Sequence, residues 1–106
     1  MQDILKLGDA LRRMRKERGL PLRSVAAAAE MDSTLLSKIE LGQRLPTEPQ
    51  TRALAKFFGI AFEELEAKRL AEHFWMDHGG SPAARKAVNL LREQAGDYAG
   101  RKRRLT

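Results

Sequence analysis

The sequence predicts an all-α protein of six helices, and three observations support this. Apolar residues recur every three or four positions over most of the chain, which is the period of an amphipathic helix. Gly19 and Gly42 each follow such a run, at the place where glycine commonly ends a helix. Two of the runs, 22–29 and 33–41, are short and only three residues apart, so they predict two helices that meet at a tight corner.

The first helix is predicted from about Asp3 to Arg18. Its apolar face consists of Ile4, Leu7, Leu11 and Met14. Its other face carries five cations, namely Arg12, Arg13, Arg15, Lys16 and Arg18. We expect most of that basic face to be solvated and to face phosphate.

The next two helices form the corner around which the chain is organised. The apolar face of the first consists of Leu22, Val25, Ala26 and Ala29. Its alanines leave room for a second helix to cross closely. At the corner Met31 is expected to point inward and Asp32 to cap the second helix.

That second helix is predicted over Ser33–Leu41, with Leu36 and Ile39 toward the core. Its outward face is polar and consists of Ser33, Thr34, Ser37 and Lys38. Leu35 fits two roles equally well, contact with a thymine methyl group or packing at the edge of the core. Gly42 is expected to end the helix.

A capping box predicts the fourth helix, because Thr47 and Gln50 have the S/T-x-x-E/Q spacing and Pro49 fits the first turn. The helix is expected to start near Glu48 and to end at Gly59. Its core residues are Leu54, Phe57 and Phe58, an aromatic pair that we assign to packing and not to base stacking.

Two longer helices follow and give the predicted domain organisation. Helix 5 is predicted from about Ala61 to His78, with a second apolar stripe of Ala67, Leu70, Ala71, Phe74 and Trp75. Gly79 and Gly80 break the chain, and Ser81-Pro82 starts helix 6, whose apolar face is Ala84, Ala87, Val88, Leu91, Ala95 and Tyr98. The predicted domains are 1–65, a helical hairpin at 66–99 and a basic disordered tail at 100–106.

Several short motifs at fixed spacing indicate a family. They are Arg15 with Gly19 and Leu20, Val25-Ala26, the LSKIE-x-G of Leu36–Gly42, Arg44 with Pro46, and the LAKFFGI of Leu54–Ile60. Over about the first 65 residues this combination resembles the helix-turn-helix of phage Cro/repressor (Xre-like) regulators of bacteria. The LRSVA and LLSKIE segments with a long fifth helix are most similar to small regulators encoded beside restriction-modification genes.

The resemblance implies a five-helix repressor-like domain, here with an extended fifth helix and an added sixth, and it implies roles for individual residues. Because such proteins lay the second motif helix in the major groove, the predicted base contacts are Ser33, Thr34, Ser37 and Lys38. The predicted phosphate contacts are Arg23, Gln43 and Arg44. Arg15 and Glu40 match a structural ion pair.

Two positions depart from the family pattern. The glutamine that commonly opens the first motif helix is Leu22, and the usual turn glycine is Glu30. A turn that needs positive φ would strain Glu30 by about 1 kcal/mol.

Composition and charge favour a polyanionic partner. The 106 residues contain 20 Lys and Arg against 14 Asp and Glu, a net charge of +6, and no cysteine. The basic excess lies in residues 1–60, with 11 Lys/Arg against 7 Asp/Glu, and in the RKRR at 101–104. That terminal run fits a phosphate contact and a solvated terminus equally well.

An enzyme, a metal site and a cofactor are not expected. His73 and Asp77 have metal-ligand spacing but lack a third ligand, so we assign them to a solvated helix end. The sequence has neither a phosphate-binding glycine loop nor a nucleophile-base pair. No apolar run is long enough for a membrane span, which places the expected site of action in the bacterial cytoplasm.

The sequence therefore predicts a DNA-binding transcriptional regulator, expected to act as an autoregulatory repressor on an inverted-repeat operator. A homodimer is expected, with Leu70, Phe74, Trp75, Val88 and Leu91 at its interface. As an alternative to a dimer interface, these residues would pack helix 6 against helix 5 within one chain. The alternative functions are an antitoxin that binds DNA and masks a toxin through its C-terminal helices, and an interaction module without DNA binding.

Overall fold

The computed structural model describes the backbone of residues 6–105 and the side chains of residues 6–97. That part of the chain contains six α-helices and no strand, which confirms the all-α prediction. The helices are α1 Leu7–Glu17, α2 Leu22–Ala28, α3 Ser33–Glu40, α4 Glu48–Phe58, α5 Phe62–His78 and α6 Pro82–Leu105.

The chain divides into two compact units, and the division falls within α5, between His73 and Phe74. The sequence placed its domain boundary eight residues earlier, after residue 65. In the first unit α1 to α5 enclose one apolar core. The core consists of Leu7, Leu11, Val25, Ala26, Ala29, Leu36, Ile39, Leu54, Ala55, Phe58 and Leu65.

The first helix begins later than the sequence predicts. Lys6 has an extended backbone, with φ −76° and ψ 98°, and α1 starts at Leu7. The predicted start at Asp3 and the predicted core residue Ile4 lie outside the described residues. Leu7 and Leu11 are buried in the core as expected, and Met14 packs against it.

The carboxylate of Glu72 caps the start of α1 from a distance of 65 residues in sequence. Its Oε1 accepts a hydrogen bond of 2.8 Å from the Leu7 backbone N–H, and Glu72 is only 7% exposed. The first N–H groups of a helix lack partners within it and carry partial positive charge, so a carboxylate stabilises them. Lys6, the N-cap residue, makes no side-chain capping bond, so this role falls to α5.

Gly8 allows α1 to approach the end of α3 more closely than any other residue would. A Cβ added at Gly8 would lie 2.1 Å from the Ile39 carbonyl oxygen and 2.8 Å from that of Glu40. Both oxygens belong to the backbone of α3, so they cannot move away from a Cβ as a flexible side chain could. Glycine at this position therefore sets how closely the two helices pack.

The corner between α2 and α3 contains the strained residue that the sequence anticipated. Glu30 has φ +54°, a left-handed conformation that is costly for a residue with a Cβ. Its N–H donates to the Ala27 carbonyl at 3.1 Å, and the Met31 N–H donates to that of Ala26 at 3.0 Å. This pair of bonds is a Schellman motif, in which glycine usually takes the place of Glu30.

Two predicted helix starts have the expected capping bonds. The Asp32 carboxylate accepts a 2.7 Å bond from the Leu35 N–H at the start of α3. Thr47 and Gln50 form the complete capping box of α4, with Pro49 in its first turn. These bonds fix where α3 and α4 begin.

In the second unit, the last turn of α5 is followed by a break and a capped helix. Gly79 has φ +59°, and the Ser81 hydroxyl accepts a bond of 3.1 Å from the Ala84 N–H. The helix α6 then runs for 24 residues, through Leu105, whereas the sequence predicted a disordered tail at 100–106. Arginine, lysine and leucine are good helix formers, and cations at a helix C-terminus interact favourably with its dipole.

Candidate nucleic-acid interface

The helix α3 turns one face to the core and the other face outward. Leu36 and Ile39 are essentially fully buried, and Glu40 is 6% exposed. On the opposite face Thr34 and Lys38 are exposed, and Ser33 and Ser37 are half-buried. All four predicted base-contact residues therefore share one accessible face of the helix.

An ion pair fixes the end of α3 against α1. Arg15 donates from Nε to Glu40 Oε2 at 2.7 Å and from Nη2 to Glu40 Oε1 at 3.0 Å. Its Nη1 donates to the Leu20 carbonyl at 2.9 Å. These are the two residues that the resemblance assigned to a structural pair, and their two-point contact restricts both position and orientation.

Both side chains of this pair are largely shielded from solvent, Arg15 at 13% exposure and Glu40 at 5%. The hydrogen bond to Glu40 raises the pKa of Arg15 above its usual value. The Arg15 guanidinium thus remains charged at neutral pH, and its two-point contact with Glu40 holds α3 in a fixed orientation.

The three predicted phosphate contacts lie in the segments next to α3, and all are exposed. Arg23 is in the first turn of α2, and Gln43 and Arg44 follow α3 directly. The Gln43 backbone is anchored, since its N–H donates to the Lys38 carbonyl at 2.9 Å. The side chains of Gln43 and Arg44 therefore project from a fixed turn.

One of the basic residues predicted for the open face of the first helix makes a structural contact. Arg12, Arg13 and Lys16 are exposed as expected. Arg18, the C-cap residue of α1, is exposed as well, but it donates from Nη2 to the Phe58 carbonyl at 2.6 Å, and its guanidinium lies 5.1 Å from the centre of the Phe58 ring. Arg18 thus joins α1 to the end of α4, a contact between residues 40 positions apart that the sequence pattern does not indicate.

The structure shows where two leucines at α3 lie, one of them left with two possible roles by the sequence and the other overlooked. Leu35 is half-buried and packs against the core, so the packing alternative applies to it. Leu41, which the sequence treated only as the helix end, is 61% exposed and lies next to Ser37. Its helical spacing from Ser33 and Ser37, at i+8 and i+4, could have placed it on the outward face.

Four of the five predicted dimer residues are exposed. The exposed fractions are 56% for Leu70, 51% for Trp75, 41% for Val88 and 61% for Leu91, whereas Phe74 is half-buried. Met76 and Leu90, at 56% and 66%, add to the apolar surface and were not predicted. A groove of about 820 Å³ lies along α6, lined by Ala87, Leu90, Leu91, Glu93, Gln94 and Asp97.

Residues 6–97, whose side chains are described, hold no group of three His, Asp, Glu or Cys placed to bind a metal ion. None of the helices described has the length and apolarity that crossing a membrane requires.

Comparison with known families decides the class of the protein. A family model described as a helix-turn-helix domain matches residues 6–67. The chain belongs to the helix-turn-helix family. In helix-turn-helix terms, α2 and α3 are the motif pair, and α3 is its second helix.

Relatives of the helix-turn-helix domain are known from sequence and from structure. The HTH-type transcriptional regulator DdrOP3 of Deinococcus deserti is 38% identical over 61 residues, which are 58% of this chain and 47% of that protein. The chain thus spans about half the length of this relative.

Two crystal structures of the clp gene regulator ClgR from Corynebacterium glutamicum have TM-scores of 0.52 and 0.54, with 22% and 20% identity. They cover 67% and 89% of this chain and 94% and 95% of their own chains. This likeness shows a shared fold.

Proposed function

We propose that this protein is a sequence-specific DNA-binding transcriptional regulator that places α3 in the major groove of duplex DNA. The observation that supports this most is the two-sided character of α3, which is anchored on one face and accessible on the other. The buried Arg15–Glu40 pair holds the helix, and the hydroxyls and the Lys38 ammonium face outward. Membership of the helix-turn-helix family and the regulator DdrOP3 among its relatives support the same function.

The outward face has the chemistry of base readout. A lysine can donate to guanine O6 and N7, and hydroxyl groups can bond with either base type. We assign base contacts to Ser33, Thr34, Ser37 and Lys38. We assign phosphate contacts to Arg23, Gln43 and Arg44, because cations and amides at both flanks of a groove helix set its register without reading sequence.

A homodimer on an inverted repeat completes the proposal. One motif reads few base pairs, and helix-turn-helix dimers bind half-sites about one helical turn apart. The proposed interface consists of Leu70, Phe74, Trp75, Val88 and Leu91. Four of these apolar side chains are exposed, and exposed apolar patches commonly mark association sites. The proposed role is an Xre-like repressor of its own operon, acting in the bacterial cytoplasm without enzymatic activity.

Selection from a random duplex library followed by competition tests the function. We expect enrichment of an inverted repeat, binding that survives excess unrelated duplex, and an affinity that falls with rising salt. If unrelated duplex removed all binding, the protein would bind DNA through its positive charge without reading sequence. No binding at any salt concentration would leave a protein-interaction module and refute the proposal.

An antitoxin is the second candidate, and the open groove along α6 favours it. In this function the groove would bind a toxin while α3 binds DNA. Sedimentation equilibrium with Leu91→Asp discriminates the two candidates. If α6 mediates self-association, the variant becomes monomeric. If the groove is reserved for a toxin, the dimer persists.

A further inference from the structure

Leu41 is a large apolar side chain at the end of an otherwise polar face. It is 61% exposed, and it extends two rows on α3, one from Ser33 through Ser37 and one from Thr34 through Lys38. Both rows lead to the same side chain, so Leu41 lies on the face that we assign to DNA.

The backbone at Leu41 is hydrogen-bonded in a helical conformation, so its Cα–Cβ bond has a defined direction. Its N–H donates to the Ser37 carbonyl at 3.0 Å, and its φ of −82° and ψ of −3° are those of a helical residue. Gly42 then turns the chain away with φ +77°. Leu41 is therefore the last side chain that α3 presents.

A second apolar residue lies beside it. Leu22 and Leu41 line the same cleft of about 170 Å³, together with Ser37, Arg12 and the Arg15–Glu40 pair. Leu22 is partly buried and also packs against the core. The cleft beside Ser37 therefore has two leucines in its lining, and Leu41 is the exposed one of the two.

We propose that Leu41 reads the 5-methyl group of a pyrimidine in the major groove, an assignment that rests on the proposed function. That methyl is the one apolar group that thymine presents on this edge, and apolar side chains contact it. Eight residues of helix separate Ser33 from Leu41 by about 12 Å, which is also about the width of the groove. Both ends of α3 can therefore contact the same groove.

A thermodynamic cycle tests this assignment on the selected duplex. Each thymine is replaced in turn by uracil, which removes only the methyl, and each cytosine by 5-methylcytosine, which adds one. At one position per half-site we expect uracil to weaken the wild type about four-fold, the value for one methylene-sized group. At that same position Leu41→Ala binds both duplexes equally, whereas Leu41→Met keeps the discrimination.

Leu90→Ala is the matched control, because it removes a leucine of similar exposure from α6 and should keep the wild-type ratio between thymine and uracil duplexes. If the affinity rises only when 5-methylcytosine replaces cytosine, and Leu41→Ala abolishes that rise, the methyl group that Leu41 reads belongs to modified cytosine. The inference is overturned if Leu41→Ala responds to every methyl change as the wild type does. That result is distinct from failure of the proposed function, in which selection enriches no duplex.

Discussion

Replacing Glu30 by glycine should stabilise the protein, because the left-handed backbone at this corner carries a cost that glycine avoids. Glu30 has φ +54°, in the Schellman motif that ends α2. A left-handed L-residue costs roughly 1–2 kcal/mol. Glycine also makes the unfolded chain more flexible, which opposes the gain by about 0.4–1 kcal/mol. The net expectation for Glu30→Gly is a rise of about 0.5–1 kcal/mol in the free energy of unfolding.

Urea and thermal unfolding of the full chain measure this effect, with Glu30→Ala as the matched control. Alanine removes the same carboxylate but keeps the Cβ, so it should remain within about 0.5 kcal/mol of the wild type. About 1 kcal/mol moves the Tm of a small domain by about 4–8 °C, so the gain is measurable. If glycine and alanine were equally stable, the attribution of the cost to the backbone would be refuted.

Three further substitutions test the packing of the first unit by the same measurement. Gly8→Ala should lower the free energy of unfolding by more than about 2 kcal/mol, because its Cβ would clash with the Ile39 carbonyl. Gly96→Ala is the control, since open space surrounds Gly96 and alanine there should be neutral or stabilising. Equal effects of the two substitutions would contradict the close approach of α1 to α3. Glu72→Ala should cost about 1–3 kcal/mol and speed hydrogen exchange at the α1 start, with Glu72→Gln closer to the wild type; unchanged exchange would exclude the cap. Arg15→Ala should lower the free energy of unfolding by about 3–5 kcal/mol, because it leaves Glu40 buried without its partner. Replacing both residues by apolar ones should lower it by less than the sum of the two single substitutions.

Local features of this fold could be predicted because their causes lie within a few residues. Asp32 caps α3, and Thr47 with Gln50 caps α4, since the acceptor and the donor are three residues apart. The strain at Glu30 was also accessible, because a missing glycine in a known turn is visible in the sequence. The polar outward face of α3 followed from helical spacing in the same way.

Contacts between distant residues could not be predicted from local patterns, and the Arg15–Glu40 pair was accessible only through the family resemblance. The Glu72 cap joins positions 65 apart, and the Arg18 bond to the Phe58 carbonyl joins positions 40 apart. Gly8 has no local sequence signal, because its requirement comes from the carbonyls at the end of α3. The exposure of Leu41 was missed for a different reason, since the residue was treated as a helix end and not as part of the outward face.

If α3 reads bases while its flanks hold phosphates, substitutions at the two places should respond differently to DNA sequence and to salt concentration. On the selected duplex, Lys38→Ala should cost roughly 1–3 kcal/mol and relax base preference, whereas Arg44→Ala should weaken all duplexes alike and lower the salt slope by about 1. Lys56→Ala, which removes an exposed lysine from α4, serves as the control for loss of charge alone. The expected result is that only Lys38→Ala loses base preference, and unchanged preference in all three variants would refute base readout by Lys38.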